Sequence, residues 1–483
     1  MNRGLRATRN RGKVKLIPLP DYPDYHSESP GGRTAGRSIM AAPLDGRVLG
    51  ERIRQLRPPL REITFVGMMF NSSAEIGHFF NVTRSLKSAM YVAKRLATHA
   101  VEMMTHGRAM RLTNGNALAA RLAKSAFDLG VPVWLESPAQ ALLRDGERVT
   151  GVVVGRPDGT QVRVGARRGV VLAAGGFPQD VQRRKALFPH APSGREHFSP
   201  APPGNTGDGL RLAESVGGRV EAGLPNAGAW IPVSLVPRGK GGKGVFPHLI
   251  DRYKPGIIAV NRRGRRFTNE SDSYHDMGMA MQEHCADGPE VAAWLIADHR
   301  TIRRYGLGFA KPFPLPLTPH LRSGYLLKAA TLEELGRKAG IDGAQLRRTV
   351  DEYNRGAVEG KDPQFNRGWR VYNRFLGDKT HQPNPCVAPV AKGPFYAVKV
   401  VMGDLGTFAG IRTDRHARVL DADDRPIEGL FAAGNDNGSV MGGGYPGGGI
   451  TLGPAMTFGF VAAEYMAERV ERPANPVAEE LAA

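Results

Sequence analysis

The first long hydrophobic periodicity in the chain lies at residues 116–129, where apolar side chains recur at helical spacing. The side chains that fall near one face are Leu118, Leu122, Phe127 and Leu129. The segment predicts an amphipathic helix with Asn114 or Asn116 as its N-terminal cap. We expect this helix to end at Gly130, because glycine favours the backbone conformation that follows a helix.

Extended segments follow this helix. Residues 131–135 (Val-Pro-Val-Trp-Leu) predict a short strand. Residues 148–154 and 161–164 predict a hairpin around a Pro-Asp-Gly turn. Residues 169–177 form an apolar run that ends in paired glycines, which predicts a buried parallel strand whose C-terminal edge faces a ligand.

The middle of the chain, residues 224–392, is richer in proline and arginine and less periodic. Helices are expected at 330–339 and 344–356. Residues 257–270 predict a hairpin that turns at Arg263-Gly264. Few regular elements and many loops are expected here.

The tail returns to strands and a helix. Residues 418–420 and 429–434 predict strands, and the glycine-rich residues 442–449 predict a loop. Pro454 suits the first turn of a helix that extends to about Glu471.

These patterns predict an α/β fold with a discontinuous first domain. Residues 1–222 and 395–483 would form that domain, and residues 223–394 would form an inserted α+β domain. A chain of 483 residues is long enough for one large domain or two to three ordinary ones.

Composition narrows the possible classes of protein. Two cysteines, Cys285 and Cys386, supply neither a disulfide framework nor a thiolate metal site, so we expect a reducing compartment and no metal. No apolar run reaches the roughly 18 residues of a membrane span, and the basic N-terminus lacks the apolar core of a secretory signal. A soluble cytoplasmic protein is therefore expected.

The net charge of +20 favours anionic partners such as nucleic acid, anionic lipid or a phosphate-bearing cofactor. The basic residues are scattered, however, and no zinc-finger spacing or basic motif with interleaved aromatic residues occurs. The pattern favours a basic solvated surface over nucleic-acid binding.

Two segments match Gly-x-Gly-x-x-Gly, and neither has the context of a dinucleotide fold. The match at 239–244 is followed by Pro247 rather than by a helix. The match at 442–447 contains Pro446 and has no acidic residue about 20 positions further on.

The second glycine segment is informative in another way. Consecutive glycines let the backbone lie flat against a planar ligand, because no Cβ intervenes. The N-terminus of the next helix directs free N–H groups and positive charge towards that ligand. A reduced flavin, negative around N1 and O2, suits such a terminus. The alternative is a glycine-rich loop that only leads into the helix.

Residues 429–463 resemble the C-terminal flavin segment of the fumarate reductase/succinate dehydrogenase flavoprotein superfamily, in its 3-ketosteroid dehydrogenase branch. Residues 448–452 (Gly-Gly-Ile-Thr-Leu) are similar to a Gly-Gly-Asn-Ala-Leu segment of its carboxylate-reducing members. Supporting matches occur at 114–116, 171–177, 205–209, 261–270, 394–398 and, for the steroid branch, 23–25 and 30–32. The resemblance covers nearly the whole chain.

The resemblance implies an FAD-binding domain with an inserted cap, a ketone or steroid substrate and an electron acceptor. The implied cofactor-binding residues are Asn114, Gly115, Asn116, Ala174, Gly175, Gly176, Asn435, Asp436, Gly448, Ile450, Thr451 and Leu452. The family begins with a strand, a Gly-x-Gly-x-x-Gly turn and a helix that bind the FAD pyrophosphate, and this sequence has no such unit. A truncated N-terminus would explain the difference, and unfamiliar binding of the ADP half of FAD is the alternative.

Dehydrogenation beside a ketone needs a base, an electrophile and a hydride acceptor. The resemblance implies that Tyr445 and the Gly449 amide bind the carbonyl oxygen, that Tyr274 is the base and that Tyr25 assists it. Tyr22 competes with Tyr25 for the last role.

We interpret three histidines as hydrogen-bonded or solvent-facing residues rather than catalytic ones: His26, His78 and His275. Two other functions remain open. A fumarate-type reductase would need arginine or histidine near the glycine loop, which offers Tyr445 instead. A non-catalytic remnant with a basic surface is the alternative outside enzymes.

Overall fold

The computed structural model describes residues 14–71 and 75–471. The remaining residues, which include most of the basic N-terminus, lie outside this description. The strands are β1 (Leu16–Leu19), β2 (Ser38–Ala41), β3 (Leu44–Asp45), β4 (Arg111–Leu112), β5 (Ala139–Asp145), β6 (Arg148–Gly155), β7 (Gln161–Gly165), β8 (Val170–Leu172), β9 (Val220–Glu221), β10 (Gly228–Pro237), β11 (Lys243–Pro247), β12 (Ile257–Val260), β13 (Ala292–Asp298), β14 (Leu327–Ala329), β15 (Phe395–Thr407), β16 (Gly410–Ile411), β17 (Arg418–Leu420) and β18 (Pro426–Ala432).

The α-helices are α1 (Ile76–Phe80), α2 (Leu86–His106), α3 (Asn114–Asp128), α4 (Val181–Leu187), α5 (Asp208–Glu214), α6 (Tyr274–His284), α7 (His299–Tyr305), α8 (Thr318–Arg322), α9 (Leu332–Ala339), α10 (Gly343–Ala357), α11 (Val371–Leu376) and α12 (Leu452–Glu471). Among these described helices, none combines the length and apolarity that crossing a membrane requires.

The largest sheet is centred on β15. Its order is β11-β10-β15-β13-β12, β14 also pairs with β15, and all its pairings are antiparallel. Successive residues of a strand point to opposite faces. Val400 therefore packs in one core cluster and Val401 in a second, and Trp230 and Ile231 of β10 divide in the same way. Both faces of this sheet are covered.

Helix α6 packs closely against this sheet because of one glycine. A Cβ on Gly278 would lie 2.5 Å from the Cβ of Trp230, so a larger residue would push the helix away from β10. Met277 and Met281 of α6 enter the same core cluster as Trp230. This contact fixes the N-terminal end of α6, where Tyr274 is the first helical residue.

A smaller sheet joins a strand that precedes the inserted segment to two strands that follow it. Strand β18 pairs antiparallel with β17 and parallel with β8, with Phe431 opposite Val171. The predicted parallel strand at 169–177 is thus confirmed over 170–172. Val171 is 39% exposed, however, so the prediction that this strand is buried holds for Leu172 but not for Val171, whose side chain points to the opposite face.

The strand predicted at 131–135 is wrong. These residues form no strand, because no strand of the described chain pairs with them. Val131, Val133, Trp134 and Leu135 are about half exposed, at 49, 46, 48 and 52%. An apolar run without a pairing partner therefore remains irregular.

The helix predicted at 116–129 is confirmed as α3, but its predicted cap is wrong. Thr113 is the N-cap residue rather than Asn114 or Asn116. The Asn114 side chain is used in a tertiary contact instead, because its Nδ2 donates to the Phe70 carbonyl at 3.3 Å.

Most other predicted elements are confirmed within a few residues. These are the 148–164 hairpin (β6 and β7), the helices α9, α10 and α12, and the strands β17 and β18. The segment at 257–270 differs, because β12 pairs with β13 and only an isolated bridge joins Val260 to Arg266. The turn at Gly264 is present, and its N–H donates to the Asn261 carbonyl at 3.0 Å.

Strand β15 begins at the predicted domain boundary, residue 395, and pairs only with strands of the inserted segment. We propose that the inserted unit runs from about residue 223 to about residue 407. The first domain then consists of the preceding residues and the small sheet and helix that follow.

Candidate functional site

Three tyrosines from distant parts of the chain meet at one place. The Tyr25 and Tyr274 Oη atoms are 3.0 Å apart. The Tyr445 ring stacks on Tyr25 at a centroid distance of 5.5 Å and an angle of 4°, and it meets the Tyr274 ring edge-on at 4.9 Å. Each of the three is at most 5% exposed. The structure therefore brings together the three tyrosines that the sequence singled out.

Local structure holds each tyrosine in place. Tyr274 begins α6, and the preceding Ser273 caps that helix by accepting from the Asp276 N–H at 3.1 Å. Tyr25 is fixed by its own backbone, whose N–H donates to the Pro446 carbonyl at 3.0 Å. The N-terminal segment is thereby bonded directly to the glycine loop (residues 442–449), on which Tyr445 lies.

Burial dominates the ionisation of these phenols. It raises the pKa of Tyr25 and Tyr274 well above the usual value, and neighbouring tyrosines add to the effect. Burial also raises the pKa of Tyr445 to about 12. All three are therefore neutral hydrogen-bonding groups at neutral pH, and a tyrosine acting as a base here needs a nearby positive charge or strong donors.

Tyr22 lies at the edge of this group, where its hydroxyl would be 4.0 Å from a Cβ on Gly448. Its ring packs edge-on against Phe375 at 4.9 Å, and it is less buried than Tyr25. Of the two candidates for the assisting role, Tyr25 is the one that contacts the Tyr274 hydroxyl.

The end of the glycine loop presents bare backbone beside the tyrosines. Gly448 and Gly449 are exposed, whereas Tyr445 and Ile450 are buried. A Cβ on Gly448 would lie 3.6 Å from the Tyr25 hydroxyl, and Gly449 has a φ of +94° with open space where a Cβ would be. A flat molecule can therefore approach this backbone closely.

The start of the loop is held by the inserted segment. The Gly443 carbonyl accepts from Asn226 Nδ2 at 3.0 Å, and Trp230 Nε1 donates to Asn226 Oδ1 at 2.8 Å. The Trp230 backbone N–H also donates to His275 Nδ1 at 3.1 Å. Burial lowers the pKa of His275 to about 4, so the neutral ring is hydrogen-bonded, as the sequence indicated.

A narrow cleft lies between the end of β15, residues 434–440 and the start of α12. Its lining includes Thr407, Asn435, Ile450 and Thr451. Gly434 also borders it, and a Cβ there would have its nearest neighbour 3.8 Å away. The cleft thus combines bare glycine backbone with the first residues of a long helix.

Asp436 holds two strand ends together rather than facing this cleft. Its carboxylate accepts from the Ala174 N–H at 2.6 Å and the Gly176 N–H at 2.7 Å. Gly175 accepts from Asn205 Nδ2 at 3.2 Å, and Asn435 accepts from Thr407 Oγ1 at 3.3 Å. Four predicted cofactor residues (Ala174, Gly175, Gly176 and Asn435) therefore lie in one hydrogen-bonded layer with Asp436.

The first turn of α3 contains the predicted residues Asn114 and Gly115, which are exposed, and Asn116, which is half-buried. This helix approaches α12 through Met456, which packs against the core cluster that contains Ala117. The N-terminal ends of α3 and α12, where Leu452 lies, therefore border the same part of the molecule.

Sequence reasoning missed a second pair of tyrosines in the same cluster. The Tyr372 ring lies 4.5 Å from the Tyr25 ring, and the Tyr372 Oη is 2.9 Å from the Tyr253 Oη. Tyr253 in turn contacts Arg252. No local motif marks these residues, because their neighbours are ordinary polar and aromatic residues and only the tertiary fold joins them.

The arrangement fits a flat cofactor that carries negative charge. The glycine backbone at 447–449 leaves a planar ring unobstructed, and a 20-residue helix begins immediately after it. Thr457 of this helix has a buried hydroxyl with no hydrogen-bond partner among the described residues. Residues 447–457 thus provide bare backbone, a helix terminus and an unused polar group within one segment of the chain.

Known proteins resemble this chain along nearly its full length. The profile of a family described as FAD binding domain matches residues 12–452. A 4-oxocyclohex-2-ene-1-carboxylate 5-dehydrogenase of Sinomonas cyclohexanicum is 43% identical over 93% of this chain and 76% of its own. A 3-oxosteroid 1-dehydrogenase of Mycolicibacterium smegmatis is 37% identical over 93% of this chain and 78% of its own.

A solved structure agrees closely with the fold. The 3-ketosteroid Δ1-dehydrogenase of Sterolibacterium denitrificans, in complex with 1,4-androstadiene-3,17-dione, superposes with a TM-score of 0.87 at 36% identity. The match covers 97% of this chain and 84% of that one.

Proposed function

The chain belongs to the FAD binding domain family, in the 3-ketosteroid dehydrogenase branch of the fumarate reductase/succinate dehydrogenase flavoproteins, and from this premise we propose that it desaturates a ring ketone. It is an FAD-dependent oxidoreductase of the class that acts on a CH–CH bond next to a ketone. The observation that carries the proposed site is the 3.0 Å contact between the Tyr25 and Tyr274 hydroxyls beside Tyr445.

FAD is the cofactor, and when bound it supplies the acceptor for the hydride that leaves the β-carbon. The residues that would hold it are Gly448, Ile450, Thr451 and Leu452 at the helix terminus, Asn435 with Ala174 to Gly176, and the first turn of α3. Asp436 supports this layer by binding the 174–176 backbone.

Tyr445 and Gly449 are the proposed electrophile. The Tyr445 hydroxyl and the Gly449 N–H would both donate to the ketone oxygen, and they lie four residues apart on one loop. Burial holds Tyr445 protonated by raising its pKa to about 12, so it remains a donor. Two such donors stabilise the negative charge that develops on the oxygen as the α-proton leaves.

Tyr274 is the proposed base, and Tyr25 assists it. The Tyr274 hydroxyl would first lose its own proton to solvent, and the α-proton would then pass to the phenolate oxygen. The Tyr25 hydroxyl at 3.0 Å would donate to this phenolate and so stabilise its charge. The electron pair of the broken C–H bond forms the enolate, and the C=C bond follows when the β-hydride leaves. The side chains therefore provide the proton transfer and the charge stabilisation.

A 3-ketosteroid is the proposed substrate, since the exposed backbone of Gly448 and Gly449 suits a flat fused ring system. A 4-oxocyclohexane or 4-oxocyclohexene carboxylate is the second candidate. It is favoured by the 43% identity to a dehydrogenase of that substrate class.

The test begins with the absorbance spectrum of the purified full chain, supplied with FAD, to establish flavin binding. Steady-state oxidation is then measured with an artificial electron acceptor for a 3-ketosteroid and for 4-oxocyclohex-2-ene-1-carboxylate. Turnover of the steroid alone supports the first candidate, and turnover of the carboxylate alone supports the second. Flavin-loaded protein that oxidises neither ketone would overturn the proposal.

A further inference from the structure

Arg252 is a fully buried cation whose contacts are all neutral. Its guanidinium donates to the carbonyls of His248 at 3.2 Å, Glu270 at 2.5 Å and Asp272 at 2.6 Å. It also donates to the Tyr253 Oη at 2.5 Å. No carboxylate of the described residues is within ion-pair distance of it. The positive charge is therefore solvated by dipoles rather than neutralised by contact.

Two nearby arginines behave differently. Arg266 binds Glu270 and Asp362, each at 2.8 Å, and Arg367 binds Glu270 at 3.1 Å. Their charges are compensated within the same cluster. A cation without such compensation in a region of low dielectric acts on neighbouring groups over a longer distance.

The hydrogen bonds around Arg252 allow a chain of donors that leads away from it. Tyr253 Oη accepts from Arg252, so its own proton is free to donate to the Tyr372 Oη at 2.9 Å. Tyr372, which then accepts from Tyr253, has its own proton free to donate further. Its ring lies 4.5 Å from Tyr25, which is bonded to Tyr274.

We propose that Arg252, Tyr253 and Tyr372 form a polarised relay that stabilises negative charge on the Tyr25–Tyr274 pair during proton abstraction. The proposal rests on the proposed function, in which Tyr274 is the base. None of the three residues contacts the substrate in this scheme. They are positioning residues that act through Tyr25.

The raised pKa values of Tyr253 and Tyr372 agree with a role as hydrogen-bond donors. Burial raises the pKa of Tyr253 and of Tyr372, while the Arg252 charge acts in the opposite direction on both. Both phenols therefore keep their protons. Oriented O–H groups extend from Arg252 as far as Tyr372, and the last step to Tyr25 is electrostatic, across rings that pack at 4.5 Å.

Other titratable groups also face the Tyr25–Tyr274 pair. They are Tyr22 and Tyr445, His275 and Asp276 on the first turn of α6, His26 at 3.6 Å from Asp276, and Asp272, which binds Asn373 and Arg370. A change in these groups would alter the same ionisation. The test therefore uses substitutions that leave all of them in place.

Tyr253→Phe and Tyr372→Phe each interrupt the relay while keeping the buried ring. Tyr325→Phe is the control, because Tyr325 is also buried, at 7% exposed, and its hydroxyl bonds to Ser234 at 2.7 Å and to the Phe309 N–H at 2.8 Å rather than to a tyrosine of the cluster. Each protein is loaded with FAD, and kcat and KM are measured against pH with the better ketone substrate. Thermal unfolding verifies that each variant is folded.

In the two relay variants we expect the rising limb of the kcat profile to move to higher pH by about one unit. At a fixed pH on that limb, kcat falls about tenfold with KM unchanged, because one pKa unit is a tenfold change in the ionised fraction. A second readout needs no turnover. Ultraviolet titration of tyrosinate, taken as the difference between each protein and its Tyr274→Phe derivative, should show the same upward shift.

The outcomes separate the relay from the proposed function. If Tyr274→Phe abolishes turnover while both relay variants have the pH profile of Tyr325→Phe, the relay is overturned and the proposed function stands. If Tyr274→Phe turns over normally, the proposed function itself fails. An unshifted tyrosinate titration in both relay variants would also overturn the relay, whatever their turnover.

Discussion

The ionic cluster at Glu270 and the tyrosine cluster at Tyr274 are equally buried and lie four residues apart in sequence, yet they are built in opposite ways. In the ionic cluster, Arg266 and Arg367 surround Glu270, and Asp362 completes the pairing. In the tyrosine cluster the groups are neutral phenols that bond to one another beside exposed glycine backbone.

The two regions differ in how much hydrogen-bonding capacity they leave for a ligand. The Glu270 carboxylate accepts from Arg266, Arg367 and the Ala259 N–H, so little of its bonding capacity remains for a ligand. The hydroxyls of Tyr274 and Tyr445 have one another and Tyr25 as partners, and a substrate oxygen or carbon can replace such weak contacts. We therefore expect substitutions in the two clusters to affect different measurements.

The largest effect is expected from Tyr274→Phe. Loss of the proposed base should lower kcat by about 10²–10⁴, the usual contribution of a positioned acid or base. The ring and its packing remain, so the free energy of unfolding should change by less than about 1 kcal/mol. Steady-state kinetics and denaturant unfolding measure the two quantities. A stability loss that accounts for the loss of turnover would remove the distinction between the clusters.

Glu270→Gln tests the ionic side. Removing this charge leaves Arg266 and Arg367 with only Asp362, and breaking a buried pair in this way costs about 3–5 kcal/mol of stability. Urea unfolding measures the loss. Glu334→Gln, which breaks a surface pair with Lys338, is the control and should cost less than about 1 kcal/mol. Equal losses in both variants would contradict the structural role of the cluster.

Tyr445→Phe tests the loop side of the tyrosine cluster. Loss of one carbonyl donor should lower kcat by about 10²–10³ while the amount of bound flavin stays unchanged. Flavin absorbance per protein and turnover are measured on the same sample. Unaltered turnover would remove Tyr445 from the proposed electrophile, and loss of flavin would assign it to cofactor binding instead.

Lowering the pH should change the free energy of unfolding through His275, beside the tyrosine cluster, by less than the substitutions above. Burial lowers the pKa of His275 to about 4, below its unfolded value near 6.5, so the unfolded chain takes up this proton first. The stability that His275 contributes is complete above pH 6.5 and is lost as pH falls towards 4. The slope is about 1.4 kcal/mol per pH unit.

Glu270 should not contribute in this range, because Arg266 holds its pKa below the usual value against the effect of burial. Urea unfolding between pH 7 and pH 5 measures the slope. His275→Gln should make the slope shallower by about that amount, and an identical slope in this variant would exclude His275 as the cause.

The sequence predicted correctly the elements that are stabilised by interactions between residues close together in the chain. The helix α3 and the hairpin of β6 and β7 follow from spacing and turn residues within a few positions. The strand predicted at 131–135 failed because a strand needs a neighbour, and pairing is a property of the tertiary structure. The cap at Asn114 failed because that side chain bonds to Phe70, which lies 44 residues away.

The candidate site could likewise be predicted from the sequence only in part, because some of its contacts depend on the tertiary structure. Tyr25, Tyr274 and Tyr445 were found through family resemblance, and the structure then placed them in contact. Tyr372 and Arg252 have no sequence signal of that kind, because their importance depends on which groups the fold brings beside them. Their proximity to Tyr25 is a property of the tertiary structure.

The contact between the Tyr25 and Tyr274 hydroxyls spans 249 residues of chain. Closing so long a loop is entropically unfavourable until most of the chain between is ordered, so this contact belongs to the last stages of folding. Helices and hairpins form locally and earlier. After dilution from denaturant, recovery of turnover should therefore lag behind recovery of the far-ultraviolet circular dichroism signal, and a chain cleaved between the two tyrosines should regain helices without regaining a site.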